Sequence, residues 1–185
     1  MRGNMGWIRG ASFCTATRRY LVSMVGATQH GSSLDSGAAG PEGESCAVRG
    51  VAAIAPLINL VRHNGQLERV DYLSPALHRA MLEEGSAILS DYLGTPKGRL
   101  GALAEKASVD TYLTAATPPF YIQHGTRDTI IPPIQAIDFA GRLRGLIGGE
   151  KVVLDLIEGA KHVGTSPEFI EEEHVLPILR FFRTL

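Results

Sequence analysis

One stretch constrains this chain more than any other, Thr117 to Gly164, which reads TPPFYIQHGTRDTIIPPIQAIDFAGRLRGLIGGEKVVLDLIEGAKHVG. Phe120 to His124 is a short apolar run, opened by Pro118-Pro119 and followed by Gly125. Its length and flanks predict a buried strand. Gly125 to Pro133 then forms a loop that holds Asp128, and Pro133 suits the first turn of a helix. Ala136, Phe139, Leu143 and Leu146 recur at helical spacing and predict one apolar stripe, which Gly148-Gly149 stops. Val152 to Ile157 is a second apolar strand, and a loop carrying His162 follows it. The order is therefore strand, acid-bearing loop, helix, strand, histidine-bearing loop. That is a parallel βαβ unit, with Asp128 and His162 just past the carboxyl ends of adjacent strands. Open α/β sheets bind their ligands at that edge.

HGTRD followed by IIPP, and then EGAKH, resembles the closing half of the α/β-hydrolase fold. It is most similar to the esterase branch that includes acetyl-xylan esterase-like and feruloyl-esterase-like enzymes. The resemblance implies that Asp128 is the acid of a catalytic triad and His162 its general base. Taken singly, Asp128 reads as a turn residue and His162 as a loop histidine; their pairing in one βαβ unit is what gives the resemblance weight. It extends over Gly10 to Leu185 and includes SVDTYL ahead of the acid-bearing strand.

The same resemblance asks for a nucleophile elbow, G-x-S-x-G, in which serine sits on a strained turn between a strand and a helix. Gly10-Ala11-Ser12-Phe13-Cys14 matches its first three positions, with Cys14 where the last glycine belongs. Ser12 is thus the expected nucleophile, and the backbone N–H of Phe13 the expected oxyanion-hole donor. The blander reading makes Ser12 a helix N-cap. Tyr20 to Gly26 looks like the helix that follows the elbow, and CTATRR, Cys14 to Arg19, stands where two glycines are expected. That segment reads as a local insertion, a divergent segment or a sequence error.

With 185 residues the chain has room for one domain with a sizeable core. A net charge of −1 gives no reason to expect nucleic acid as a partner, and no apolar run approaches the length of a membrane span. Cys14 and Cys46 make neither a disulfide framework nor a metal site. MRGNMGWIRGASFC lacks the apolar stretch of a signal peptide, which favours a cytoplasmic location; the signal peptide of a longer gene product would lie upstream of Met1.

The rest of the chain is read to fit. Residues 28–45 form a Gly/Ser-rich surface loop, and Val48 to Ile58 is a further parallel strand. Residues 59–117 read as a cap or lid inserted in a single domain, 1–185. Within them Asn64-Gly65 is a turn, and Pro75 to Glu83, Ser86 to Leu93 and Lys97 to Ala107 are short helices. Leu73, Leu77, Met81, Leu89, Tyr92 and Leu93 are core residues or, less commonly, pocket walls. Pro167 opens a helix to the C-terminus with Val175, Ile178, Leu179 and Phe182 on one face, bent at Pro177. His30, His63, His78 and His174 lack partners at ligand spacing, and His124 is structural.

The fold class expected is α/β: a partial α/β-hydrolase fold of three to four parallel strands with flanking helices and a helical cap. The resemblance places the start of the chain at or just before the elbow. The first half of the sheet, with its HGGG-type oxyanion loop, is then absent. One missing donor costs on the order of 10²–10³ in turnover, so weak or no activity is expected of these 185 residues. The sheet edge left open is expected to invite self-association. The function implied is hydrolysis of small acyl or aryl esters by Ser12, Asp128 and His162, with a small ester as partner and no metal or organic cofactor. Two alternatives stand beside it: a peptidase of the prolyl oligopeptidase type, and an inactive remnant of the fold, which Cys14 favours.

Overall fold

A computed structural model of the chain describes residues 16–28, 47–94 and 101–185. Within them three strands, β1 (Val51–Ile54), β2 (Phe120–Gly125) and β3 (Val152–Ile157), form a parallel sheet in the order β1-β2-β3. Val51 pairs with Phe120, and Phe120 with Val152, so the strands start level and their carboxyl ends share one edge. Parallel neighbours need crossover connections. Here α2 (His63–Leu67), α3 (Pro75–Leu93) and α4 (Gly101–Ala107) fill the first, and α5 (Ile134–Ile147) fills the second.

The period of two along each strand sorts the side chains onto two faces. Val51, Ala53, Phe120, Ile122 and Val152 lie on one, in a core completed by Ala27 of α1 (Ala16–Ala27) and by Phe139, Ala140 and Leu143 of α5. The Phe120 and Phe139 rings meet edge to face at 5.3 Å. On the opposite face Ile157 packs with Phe169 and Ile54, and Tyr121 meets Phe181 of α6 (Glu172–Arg183) at 5.8 Å. Helices thus cover both faces, as a parallel sheet requires. The fold is the α/β arrangement expected, with three strands among the described residues.

Several elements differ from the sequence reading, each for a local reason. The run from Val48 to Ile58 contributes only Val51–Ile54 to the sheet, because Ala55 turns to φ 45° and Pro56 has no N–H for the ladder. Asn64-Gly65 is not a turn but the middle of α2. The two helices expected from Pro75 to Leu93 are one, which runs through Gly85. The C-terminal helix is split: Pro167–Ile170 is a 3-10 turn, Glu171 is extended, and α6 begins at Glu172. Pro177 lies inside α6 without ending it. On α6 Ile178 is buried but Leu179 is exposed. On α5 the buried stripe runs Ala136, Phe139, Ala140, Leu143, Ile147, while Leu146 faces solvent. Gly148 closes α5 at φ 96°, a backbone region that favours glycine. Of CTATRR, Ala16 to Arg19 is the first turn of α1; Cys14 and Cys46 lie outside the described residues.

Residues 59–117 are tied down by polar groups as well as by packing. Leu60, Leu89 and Ala104 form a second core cluster with Leu57 and Ile131. Buried Gln135 of α5 accepts from Ile58 N (3.0 Å) and Asn59 N (2.7 Å), and donates to Asn59 O (2.9 Å) and to Gln66 Oε1. Asp110 receives Arg142 of α5 and the Asn59 amide. Among the described residues no helix is long and apolar enough to cross a membrane.

Candidate active site

The site begins with a glycine. A Cβ on Gly125, the last residue of β2, would come within 2.4 Å of Ala160 O and 2.5 Å of Lys161 O. Only glycine lets the chain leaving β3 cross this close to the end of β2. The two loops are then stitched together. Thr126 N donates to Ile157 O (3.0 Å), Arg127 N to Ala160 O (2.9 Å) and Gly159 N to Thr126 Oγ1 (2.8 Å). Past His162 the chain is held by Thr165, whose N and Oγ1 both donate to His162 O. The loops after β2 and β3 therefore form one hydrogen-bonded body, which carries Asp128 and His162.

Asp128 is fully buried, and four N–H groups surround its carboxylate. Oδ1 accepts from the backbone of Ile130 and Ile131, each at 2.9 Å, so the side chain fixes its own loop. Oδ2 accepts from His162 Nδ1 at 2.7 Å and faces His124 Nε2 at 3.3 Å. Burial by itself would raise the Asp128 pKa. The hydrogen bonds from His124 and His162 outweigh it and hold the carboxyl well below the usual carboxylate range. The acid is ionised at any ordinary pH, and His162 carries its proton on Nδ1.

Three more side chains grip this loop, and sequence reasoning gave none of them a part in the site. His124 Nε2 donates to Ile131 O at 2.8 Å. His63 Nε2 donates to Ile130 O at 3.0 Å, and Nδ1 faces the Asn64 amide at 3.1 Å. Burial holds the His63 pKa below its ordinary value, against the pull of those bonds and of Asp128. Tyr72 donates its hydroxyl to Asp128 O at 2.6 Å, with Arg127 stacked 5.7 Å from its ring centre. Burial first, and the nearby Asp128 charge next, push the Tyr72 phenol up to about 12. The signal available in sequence was slight: a histidine inside a strand, one inside what reads as a turn, and a lone tyrosine.

A cavity of about 680 Å³ opens beside the acid loop, bordered by Arg62, Arg69, Tyr72, Pro132, Pro133 and Asp138 among others. Leu73, Leu77, Met81, Leu89 and Leu93 do not border it. Leu89 is core, and Leu77 is exposed. Ser12 and Phe13 lie outside the described residues, so the structure brings together Asp128 and His162 of the expected set. The sequence gives His174 no partner at ligand spacing, but at the start of α6 the fold brings its ring among the carboxylates of Glu171 and Glu173 at metal-ligand spacing.

A doubly covered parallel sheet, with a buried carboxylate and a bonded histidine past the ends of adjacent strands, has the layout of an α/β-hydrolase. Residues 17–143 match the BD-FAE family model, and the chain belongs to that family, an α/β-hydrolase esterase family. No curated protein matches the sequence. Among solved structures it is similar to a truncated carbohydrate esterase from gut microbiota, at 16% identity and a TM-score of 0.66. That match covers 91% of this chain and 56% of the other. A bifunctional GH43-CE protein from Bacteroides eggerthii matches at 22% identity and a TM-score of 0.61, over 90% of this chain and 20% of its own. An acetyl ester-xyloside bifunctional hydrolase from Caldicellulosiruptor lactoaceticus follows, at 17% identity and a TM-score of 0.55, over 91% and 54%. At these identities the likeness is one of fold. The chain spans little more than half the length of the first and third, and a fifth of the second.

Proposed function

We propose that the chain belongs to a serine carboxylesterase that cleaves esters of small acyl or aryl groups, with Ser12 as nucleophile, His162 as general base and Asp128 as the acid that orients it. The observation that carries this reading is the 2.7 Å bond between His162 Nδ1 and the buried, ionised Asp128 Oδ2. With the proton on Nδ1, the ring's lone pair is on Nε2, the atom that acts as base in such triads. Ser12 Oγ attacks the ester carbonyl carbon while Nε2 takes its proton. The tetrahedral oxyanion accepts from the Phe13 N–H and then collapses, and the departing alcohol takes the proton from Nε2. Water, deprotonated by the same nitrogen, attacks the acyl carbon; the bond to Ser12 Oγ then breaks, the acid leaves, and Ser12 Oγ takes the proton back from Nε2. No step calls for a metal or organic cofactor. In this reading residues 59–117 are the cap of a single domain, and His63 and Tyr72 hydrogen-bond it to the acid loop.

The test is turnover of p-nitrophenyl acetate, together with labelling by a fluorophosphonate probe. Turnover abolished by His162→Ala, and labelling abolished by Ser12→Ala, are expected. Labelling that survives Ser12→Ala would mean another nucleophile and would overturn the assignment. A second reading, an inactive remnant of the fold, rests on Cys14 at the elbow position that normally takes glycine. Folded protein that neither turns over the ester nor takes the probe would favour it.

A further inference from the structure

We propose that His124 is a positioning residue for the Asp128–His162 pair, using one Nε2–H to hold both the Asp128 carboxylate and the end of its loop; only the catalytic consequence rests on the esterase reading. His124 is fully buried and belongs to β2 rather than to a loop, so its ring is fixed by the sheet. Its Nε2 lies 2.8 Å from Ile131 O and 3.3 Å from Asp128 Oδ2. A carbonyl and an ionised carboxylate only accept, so Nε2 must be the donor. Nδ1 is buried and has no partner among the described residues, which suits a lone pair better than a second N–H. The ring is therefore neutral, with its proton on Nε2.

This one donor closes the acid loop from the side that the loop's own backbone cannot reach. Asp128 Oδ1 binds Ile130 N and Ile131 N, while Oδ2 is shared by His124 and His162. Without His124, Ile131 O loses its partner and Oδ2 keeps a single donor, His162. The carboxylate then has one donor fewer against rotation about its last bond, and the geometry at His162 Nδ1 loosens. His124 touches no reacting atom; it acts through Asp128.

The experiment is nitrogen-15 and imidazole-proton NMR of the full chain, with His124→Gln and His124→Asn. Glutamine places an amide N–H near the position of Nε2, whereas the shorter asparagine stops short of the carboxylate. The wild-type spectrum is expected to show His124 with its proton on Nε2. The His162 Nδ1–H resonance should move in His124→Asn and return in His124→Gln, with the backbone amides of β2 and β3 in place in both. Where the chain turns over p-nitrophenyl acetate, kcat should fall about tenfold in His124→Asn at unchanged KM and recover in His124→Gln. A His124 proton on Nδ1 overturns the proposal without any variant, as does a folded His124→Asn with the His162 resonance unmoved. Absent turnover in the wild type bears on the esterase reading alone and leaves the resonances to decide on His124.

Discussion

At the scale of single residues, the site is a carboxylate that would be expensive to bury and is made tolerable by its donors. Asp128 has backbone N–H groups on one oxygen and imidazoles on the other. Asp128→Asn keeps the shape but puts an amide against groups that donate. With Nδ2 in the place of Oδ2 it faces two imidazoles; turned over, it faces two backbone N–H groups. Either way at least one buried donor goes unpaired, at about 1–3 kcal/mol each. Thermal unfolding should show that loss. If the esterase reading holds, turnover should fall on the order of 10⁴-fold, because His162 no longer has a reason to keep its proton on Nδ1. Asp128 and His162 were legible in sequence because loops after strands leave short, quotable motifs. His124 was not, since a histidine among Tyr121, Ile122 and Gln123 signals only a buried strand, and its donation to Ile131 O depends on where the chain returns seven residues later.

At the scale of elements, the loops after β2 and β3 act as one part, and Gly125 is the point where they touch. Gly125→Ala drives a methyl group into two carbonyl oxygens that belong to backbone, not to a side chain that could swing away. Overpacking of this kind costs about 1–3 kcal/mol, and the relief has to come from moving the loop that carries His162. The expected result is a lower unfolding midpoint in urea together with a perturbed His162 resonance; a variant as stable as the wild type with that resonance unchanged would show that the two loops are not coupled here. The unit from β2 to β3 was readable because its apolar runs are bounded by Pro118-Pro119, Gly125 and Gly148. The segment between β1 and β2 was misread where residues that usually break structure lie inside helices: Asn64-Gly65 in α2 and Gly85 in α3. Tertiary contacts override local propensity there, as His63, Gln66 and Leu67 of α2 are all buried.

At the scale of the whole molecule, the sheet and residues 59–117 are joined through α5, and the joint is polar. Gln135 alone satisfies two backbone N–H groups and a carbonyl of the chain leaving β1. Gln135→Leu fits the volume but strands all three, so a loss of at least about 3 kcal/mol is expected in denaturant unfolding. The response to acid runs through the acid loop and its contact with residues 59–117, by two groups whose folded pKa values are depressed. His63 is held neutral chiefly by burial, so the unfolded chain binds its proton first. Its contribution to stability is complete above the free imidazole value of about 6.5 and is lost as pH falls from there toward the lower folded value. Asp128 is held ionised, so its contribution is complete above the free carboxyl value of about 3.9 and is lost only below it. Stability should therefore decline in two stages on acidification, the first near pH 6 and the second below pH 4. His63→Gln keeps a donor for Ile130 O but cannot take up a proton, and Asp128→Asn removes the second titration. Urea unfolding of the wild type and both variants from pH 8 to pH 3 checks the assignment. His63→Gln should flatten the first stage alone, and a first stage that persists in that variant would place the titration on another histidine.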